Sequence, residues 1–460
     1  MRKAYQNVKS SGRVTEYVDI VTTHLYVRFK PGNEAQLDLL RKDTAIDLYE
    51  YPLDYELLGG RDFYRDIEVP AGQPAYQYVA LPVSYKFPPI EYELLANLYI
   101  PEEGEDVKSA RKSSADMTGI IVEEALRITN NLVEPALTGG RVKRDDWRPA
   151  GRIRVWDDRT NSWSLVEGVE VRARRWFTTH NGITDANGNY FCNGTFKREA
   201  NYSIEWNRWD YSIRSNAVGQ AILNGPKQTG NWNADLPDDD LQQFYAFIHI
   251  GAHQYYYGNR LGLKTPPQNA LLKPQMKIGA YDENGRANHN DDRRLLGIRN
   301  QVRMYRLNNG RAQNSEEIYS TTFHELAHAS HWELRKGEWD NKTSDRLQES
   351  WAMGVARELT RVRYLNHNWW ADVTFEWMRT TGENIYTPLV IDLIDTDNQG
   401  LFDNTRPFDR VGGYTIAQIE AVLGSCGNIE GLRNNLRDTY DNPSEVFLNE
   451  LFTQYINLAR

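Results

Sequence analysis

Cysteine is nearly missing from this chain. Cys192 and Cys426 are the only two in 460 residues, which excludes a disulfide framework and leaves both expected as free buried thiols. Long apolar runs are absent as well. None approaches the roughly 18–20 residues a membrane-crossing helix needs, and the basic start "MRKAYQNVKSSGRV" has no hydrophobic region behind it, so no membrane span is expected and any export signal would lie outside these residues. Basic residues are not in excess: 54 Lys and Arg stand against 63 Asp and Glu, for a net charge of -9. That balance argues against a nucleic-acid partner, because phosphate binding needs concentrated Lys and Arg. Histidine is scarce, with nine residues.

What is present is core-forming material. The chain is 40% hydrophobic and 12% aromatic, with 13 Trp and 27 Tyr, enough for several packed cores, and its length points to two to four domains. No pattern speaks to oligomeric state. Near the start, "THLYVRFKP" (23–31) alternates as a strand, "NEAQLDLLRKD" (33–43) reads as a helix and "AIDLYEYPLD" (45–54) as a second strand, a β-α-β opening. "AYQYVALPVSY" (75–85) reads as a further strand and "PPIEYELLANLYI" (88–100) as a further helix. The charged, Gly- and Ser-containing stretch 101–116 reads as a connector, followed by a helix over 120–132 and a basic turn-rich segment over 138–151.

From about residue 151 only short strands are predicted: "GRIRVWD", "VEGVEVRARRW", "ITDANGNYFC" and "ANYSIEWNRWDYSIR". Asn187-Gly188 between alternating hydrophobics is a strong hairpin signal. The succession "GRIRV…GVEV…TDANGNY" over residues 149–216 resembles the carboxypeptidase regulatory-like, or transthyretin-like, β-sandwich family. The resemblance implies a small seven-stranded unit. It also implies a spacer or adhesion module and hence a secreted, periplasmic or cell-surface protein.

Beyond residue 217 helical periodicity dominates. Helices are predicted over 240–262, 315–336 and 344–365, with an extended stretch near 295–307 and three more helices over 414–459 punctuated by Gly427 and Pro443. The stretch "YSTTFHELAHASHWELRKG" (319–337) concentrates three of the nine histidines within eight positions. In His324-Glu325-Leu326-Ala327-His328, four residues advance a helix by about 400° and ~6 Å, so both imidazoles leave one face a turn apart and can share one cation. Such a pair suits tetrahedral zinc, whose catalytic sites take three protein ligands and a water. Glu325 stands beside the pair, aimed too poorly to ligate but able to take a proton from that water. Phe323, Leu326, Ala327, Ser330 and Leu334 supply the stripe that buries the helix.

For a third ligand, His331 lies about 10.5 Å along the axis from His324 and falls short of an ion held between His324 and His328. Glu349, in the first turns of the helix "SDRLQESWAMGVARELTRV", is the better candidate, with Thr343, Ser344 and Asp345 available as caps and Ala352, Gly354 and Ala356 small enough for close helix approach. At these residues the sequence resembles the gluzincin branch of zinc metallopeptidases, in which HExxH on one helix is completed by a glutamate on the next. The resemblance implies His324, His328 and Glu349 as zinc ligands, Glu325 as general base and a peptide or protein as substrate. "QESWA" departs from the "NEGFA" of aminopeptidase-like members at Gln348, and Ser330-His331 replaces the "HxxGxxH" extension of metzincins.

Around the site, Tyr386 and Tyr414 are candidates for the oxyanion donor without a spacing rule to choose between them, and His331 is a candidate second ring or pocket residue. The strand near 298–306 is a candidate edge for an extended peptide. "DTDNQGLFD" (395–403) resembles a calcium loop in Asp395, Asp397, Gly400 and Asp403 but has Gln399 and Arg406 where acids belong, so the expectation is a polar turn, not calcium. Residues 282–292 read as an acidic loop, and Trp369, Trp370 and Trp377 as core rather than a substrate wall.

The expected architecture is multidomain: an N-terminal α+β domain (1–108), a connecting helix and linker (109–148), a transthyretin-like all-β sandwich (149–216) and a mainly α-helical zincin-like catalytic domain (217–460). The rival to a zinc metallopeptidase is an extracellular binding or adhesion protein with a structural or inactive zinc site. A third reading makes residues 1–150 a propeptide or inhibitor-like arm over the cleft.

Overall fold

The computed structural model describes residues 1–14, 17, 20–55, 64, 66–70, 73–100, 120–125, 127, 128, 146–215, 219–268, 275–289, 301–335, 342–365, 378 and 385–456. They form a mixed α/β molecule with several sheets. Helix α1 (Arg2–Ser10) precedes an antiparallel sheet of β1 (His24–Phe29), β2 (Gln77–Pro82) and β3 (Tyr92–Leu98), with β1 in the middle, and α2 (Glu34–Arg41) follows β1. The start of α2 is set by Asn33, whose side chain accepts from the Gln36 amide at 3.0 Å, as an N-cap should.

Two expectations fail in this unit. Residues 45–54 form no strand; Tyr49 makes an isolated bridge to Tyr78. The alternation there is real, since Tyr49, Tyr51 and Leu53 are all buried, but they pack on the rings of Tyr26 and Tyr78 instead of entering a ladder. Residues 88–100 carry strand β3, not a helix. Glu, Leu and Ala favour a helix locally, yet the second edge of β1 pairs with this segment through Tyr92↔Phe29 and Leu94↔Val27, and pairing outweighs propensity.

Strands β4 (Ala150–Asp157), β6 (Glu170–Arg175), β8 (Asn189–Phe191) and β9 (Ala200–Glu205) fall where short strands are predicted, whereas β5 (Ser162–Leu165) and β7 (Thr178–Ile183) arise between the predicted segments, as partners of β4 and β6. They divide between two sheets, β11-β9-β6-β7 and β12-β4-β5 with β8 on β4, where β11 is Ile222–Gln228 and β12 is Ala234–Leu236. Ile153 and Val155 of one sheet and Val171, Ala173 and Ile204 of the other lie in a shared core. The Asn187-Gly188 turn forms, with Gly188 at φ +69°, where an added Cβ would also strike the Ile153 carbonyl. It does not make a hairpin: β7 pairs with β6 and β8 with β4, so the turn carries the chain from one sheet to the other.

Strand β10 (Tyr211–Arg214) leaves this unit and pairs in parallel with β13 (Met276–Asn284), so hydrogen bonding crosses the boundary expected at 216. The resulting sheet runs β10-β13-β15-β14, where β14 is Asn288–His289 and β15 is Val302–Asn308, with β16 (Arg311–Ala312) also on β15. Strand β15, expected as an edge, is interior; among the described residues the edge is the short antiparallel β14. Residues 282–289 are accordingly largely strand where a loop is expected.

Against this sheet pack α3 (Leu241–Tyr257) and α4 (Ser315–Leu334); α5 (Asp345–Tyr364) packs on α4, followed by α6 (Leu389–Asp392), α7 (Ile416–Leu423), α8 (Ile429–Thr439) and α9 (Leu448–Ile456). One core runs through the two-sheet unit and these helices, from Ile153 to Tyr455. Cys192 and Cys426 are both free and buried. Among the described residues no helix is long and apolar enough to cross a membrane. The connector 101–116, most of the segment 138–151, and Trp369, Trp370 and Trp377 lie outside the described residues, as does part of the helix expected over 120–132, of which 120–125, 127 and 128 are helical.

Candidate metal centre

Helix α4 begins at a capping box. The Asn314 side chain accepts from the Glu317 amide, the Glu317 side chain accepts from the Asn314 amide, and Arg311 grips the same carboxylate at 2.6 and 2.9 Å. Both first-turn orphan amides are thus satisfied by residues already next to them in sequence. Helix α5 is capped by Ser344, which accepts from the Leu347 amide at 3.4 Å. The small residue Gly354 does not face α4 as expected. A Cβ there would overlap Val390 of α6, so this glycine sets the α5–α6 approach, while Gly251 of α3 is the one set against Thr322 of α4.

The relative placement of the two long helices depends on a residue of the two-sheet unit. Asp157, at the end of β4, is fully buried. Its Oδ1 accepts from the Ser315 hydroxyl at 2.7 Å, and its Oδ2 accepts from the Tyr364 hydroxyl at 3.0 Å and from Arg363 Nη2 at 3.2 Å. Asp158 accepts from the Ser315 amide at 2.8 Å. One carboxylate therefore ties the amino end of α4 to the carboxyl end of α5, and both acids oppose the positive end of the α4 dipole. Beside its local bonds from the Arg159 and Thr160 amides and the Ser164 hydroxyl, its helix partners lie 158 to 207 residues away, so the local sequence does not reveal this role.

With the helices so held, three side chains converge. His324 Nε2 lies 3.1 Å from Glu349 Oε2, His328 Nε2 lies 3.3 Å from the same oxygen, and the two imidazole nitrogens are 3.1 Å apart. Ligands about 2.0–2.1 Å from a tetrahedral zinc stand about 3.3–3.4 Å from one another, so this triangle fits one small cation. The buried Glu349 Oε2 has no hydrogen-bond partner of good geometry, as befits an oxygen turned toward an ion. Burial alone would raise the Glu349 pKa; the imidazoles of His324 and His328 more than offset it and hold the carboxyl far below its usual range. Among the described residues this is the one group of His, Cys, Asp and Glu side chains close enough to share a metal.

Glu325 is buried next to the triangle. Its Oε2 also lacks a hydrogen-bond partner, while its carboxylate accepts a main-chain hydrogen bond from His289 of β14. Burial is the chief influence on its acidity; with an opposing pull from His324 and a push from Glu349, its pKa is raised to about 7. His331 is wholly buried one turn on, its pKa pushed well down by burial and by neighbouring His328 and Arg335. It is a core residue and not a member of the triangle. Of the two tyrosines, Tyr386 is partly exposed and its hydroxyl feels the charges of Glu349 and Glu325, whereas buried Tyr414 feels Glu445. Only Tyr386 stands at the site.

At the loop with calcium-like spacing, two of the carboxylates turn to the protein and Asp397 is exposed. Asp395 accepts from Arg357 at 3.0 Å, and Asp403 accepts from the Thr405 amide and hydroxyl and from Arg406. No protein-family model matches the chain, and no curated protein matches it.

Proposed function

We propose that the chain is a zinc-dependent metallopeptidase, with His324, His328 and Glu349 as zinc ligands and Glu325 as general base. The observation that supports this reading above others is the triangle of ligand atoms, 3.1 to 3.3 Å on a side, with a partner-free buried carboxylate oxygen beside it. A zinc ion held there supplies Lewis acidity and an acidified water.

The chain's own residues do the rest. Glu325 Oε2 takes the proton of the attacking water and passes it to the nitrogen of the departing amine. Buried beside the triangle with Oε2 free of a hydrogen-bond partner, this carboxylate is placed to accept the proton and return it. The Tyr386 hydroxyl donates to the oxygen on which negative charge develops. The main-chain bond from His289 orients the base from the edge strand β14, along whose exposed side an extended peptide is laid by strand addition. A purely structural zinc site has no use for a base at position 325, which weighs against a binding or adhesion protein. The resemblance of residues 149–216 to extracytoplasmic β-sandwich modules supports the reading that this activity works outside the cytoplasm.

Metal analysis and peptide hydrolysis by Glu325→Gln test the proposal together. The variant is expected to retain one zinc per chain and lose about 10²- to 10⁴-fold in kcat, the usual worth of a general base. Unchanged hydrolysis, or a wild-type chain that takes up no zinc, would overturn it.

A further inference from the structure

Between β13 and β14 the chain crosses the ring of Tyr305, where Gly285 leaves the room, and the Gly285 amide donates to the Leu307 carbonyl at 3.0 Å. Arg286 follows at once, exposed, two residues before the edge strand that touches the base. Its carbonyl accepts from Asn288 Nδ2 at 3.1 Å, which fixes the main chain. Its guanidinium has no carboxylate in ion-pair range among the described residues. The other described arginines of this sheet are engaged: Arg306 with Asp282 and Asp239, Arg311 with Glu317, and Arg303 over the ring of Tyr281. Asp282, the nearest acid along β13 to have an ion-pair partner, is therefore taken by Arg306. The charge of Arg286 instead reaches the Tyr386 hydroxyl, the group that also feels Glu349 and Glu325.

A divalent ion held by the triangle would balance the two carboxylates Glu325 and Glu349, and among the described residues Arg286 is then an exposed, unpaired cation whose charge is felt at Tyr386. A planar guanidinium pairs best with a carboxylate, through two parallel hydrogen bonds. We infer that Arg286 is a specificity-determining residue that pairs with a carboxylate of the substrate close to the scissile bond, either the peptide's free C-terminus or an Asp or Glu side chain. The inference rests on the metallopeptidase reading and narrows its substrate to anionic peptides.

Matched acetylated pentapeptides test it: one sequence with a C-terminal carboxylate or amide, and the same amide with Glu or Gln at each position in turn. Hydrolysis by the zinc-loaded wild type gives KM and kcat. Calorimetric binding to zinc-loaded Glu325→Gln gives affinity without turnover. Wild type is expected to favour an anionic member about three- to tenfold, in KM more than kcat, and to lose part of that preference at high salt. Preference for the carboxylate over the amide assigns the C-terminus; preference for Glu over Gln assigns a side chain. Arg286→Ala should bring the ratio to about one and Arg286→Glu should invert it, while Arg437→Ala, an exposed arginine on α8 paired with Asp438, should leave it as in wild type.

Equal treatment of all peptides by wild type, or a preference that survives in Arg286→Ala, overturns the assignment. If no peptide is cleaved, the peptidase reading fails; the binding series, repeated on the wild-type chain, then still decides Arg286 by whether the anionic preference exists and disappears with the guanidinium.

Discussion

Glu349 and His331 make opposite demands on a mutant. Glu349 is the corner of the triangle, so Glu349→Ala is expected to weaken zinc binding by roughly a hundredfold or more while leaving the helices in place. His331 is wholly buried away from the triangle; His331→Ala should keep the metal and lose about 2–4 kcal/mol of stability, the cost of a core truncation. Metal titration beside denaturant unfolding separates the two, and the reverse pattern would exchange their roles. A second buried histidine sets a pH dependence. His249 bonds through Nδ1 to the Tyr211 hydroxyl at 3.0 Å and through Nε2 to the Glu167 carbonyl at 2.8 Å, which fixes a neutral ring that donates from Nε2 and accepts at Nδ1. Burial first, then nearby His253, lowers its pKa to about 3. The unfolded ring titrates near 6.5, so below that pH the unfolded chain binds a proton the folded chain refuses. This share of stability is intact above pH 6.5 and falls away toward pH 3, on the order of a few kcal/mol. His249→Gln should flatten that part of the pH–stability curve. At this scale the sequence was informative where chemistry repeats at helical spacing, as at His324, His328 and Glu349. It was silent on Asp157 and His289, whose importance comes from partners distant in the chain.

Elements were legible where their signals are local. The caps at Asn33 and Ser344 start helices at the expected places, and β4, β6, β8 and β9 lie in the expected segments, while β5 and β7 went unread. Among the misses, residues 45–54 and 88–100 are segments whose state is decided by a neighbour: aromatic packing in one, the second edge of β1 in the other. Gly354 is a similar lesson, since smallness was evident but not which helix required it. Gly354→Ala is expected to cost about 1–3 kcal/mol by overpacking against Val390. Adding Val390→Ala should recover part of that loss, giving a measurable coupling in a double-mutant cycle. Asp157→Ala is the harsher test. It strips the Ser315, Tyr364 and Arg363 bonds at once and leaves a guanidinium with no carboxylate at the α4–α5 junction. A loss of about 3–5 kcal/mol, together with weakened zinc binding, is expected in calorimetry; full zinc affinity in this variant would mean the helix pair holds its spacing unaided.

For the whole molecule, composition gave a chain with ample core and several units, but not how they join. The N-terminal unit docks through a buried charge cluster: Lys277 of β13 donates to Glu34 and Asp38 of α2 at 3.0 Å each, and Arg214 of β10 lies 3.9 Å from both. Further bonds run from Arg172 to the Leu48 carbonyl and from Asn181 to Asp47. The charge cluster sits at the β10 side of the mixed sheet and the other two bonds reach β6 and β7, whereas among the described residues β14 lies at the opposite edge of the mixed sheet. Lys277→Met would leave Glu34 and Asp38 facing Arg214 alone, and a loss of about 3–5 kcal/mol in urea unfolding is expected. A negligible change would mean the unit is held by its apolar contacts.

The grip of Asp157 on both long helices has one more consequence. If the two-sheet unit is what keeps the ligand-bearing helices in register, then the ion has no escape while that unit stands. In a slow thermal ramp with a coloured chelator in solution, release of metal and melting of the β signal should trace a single curve.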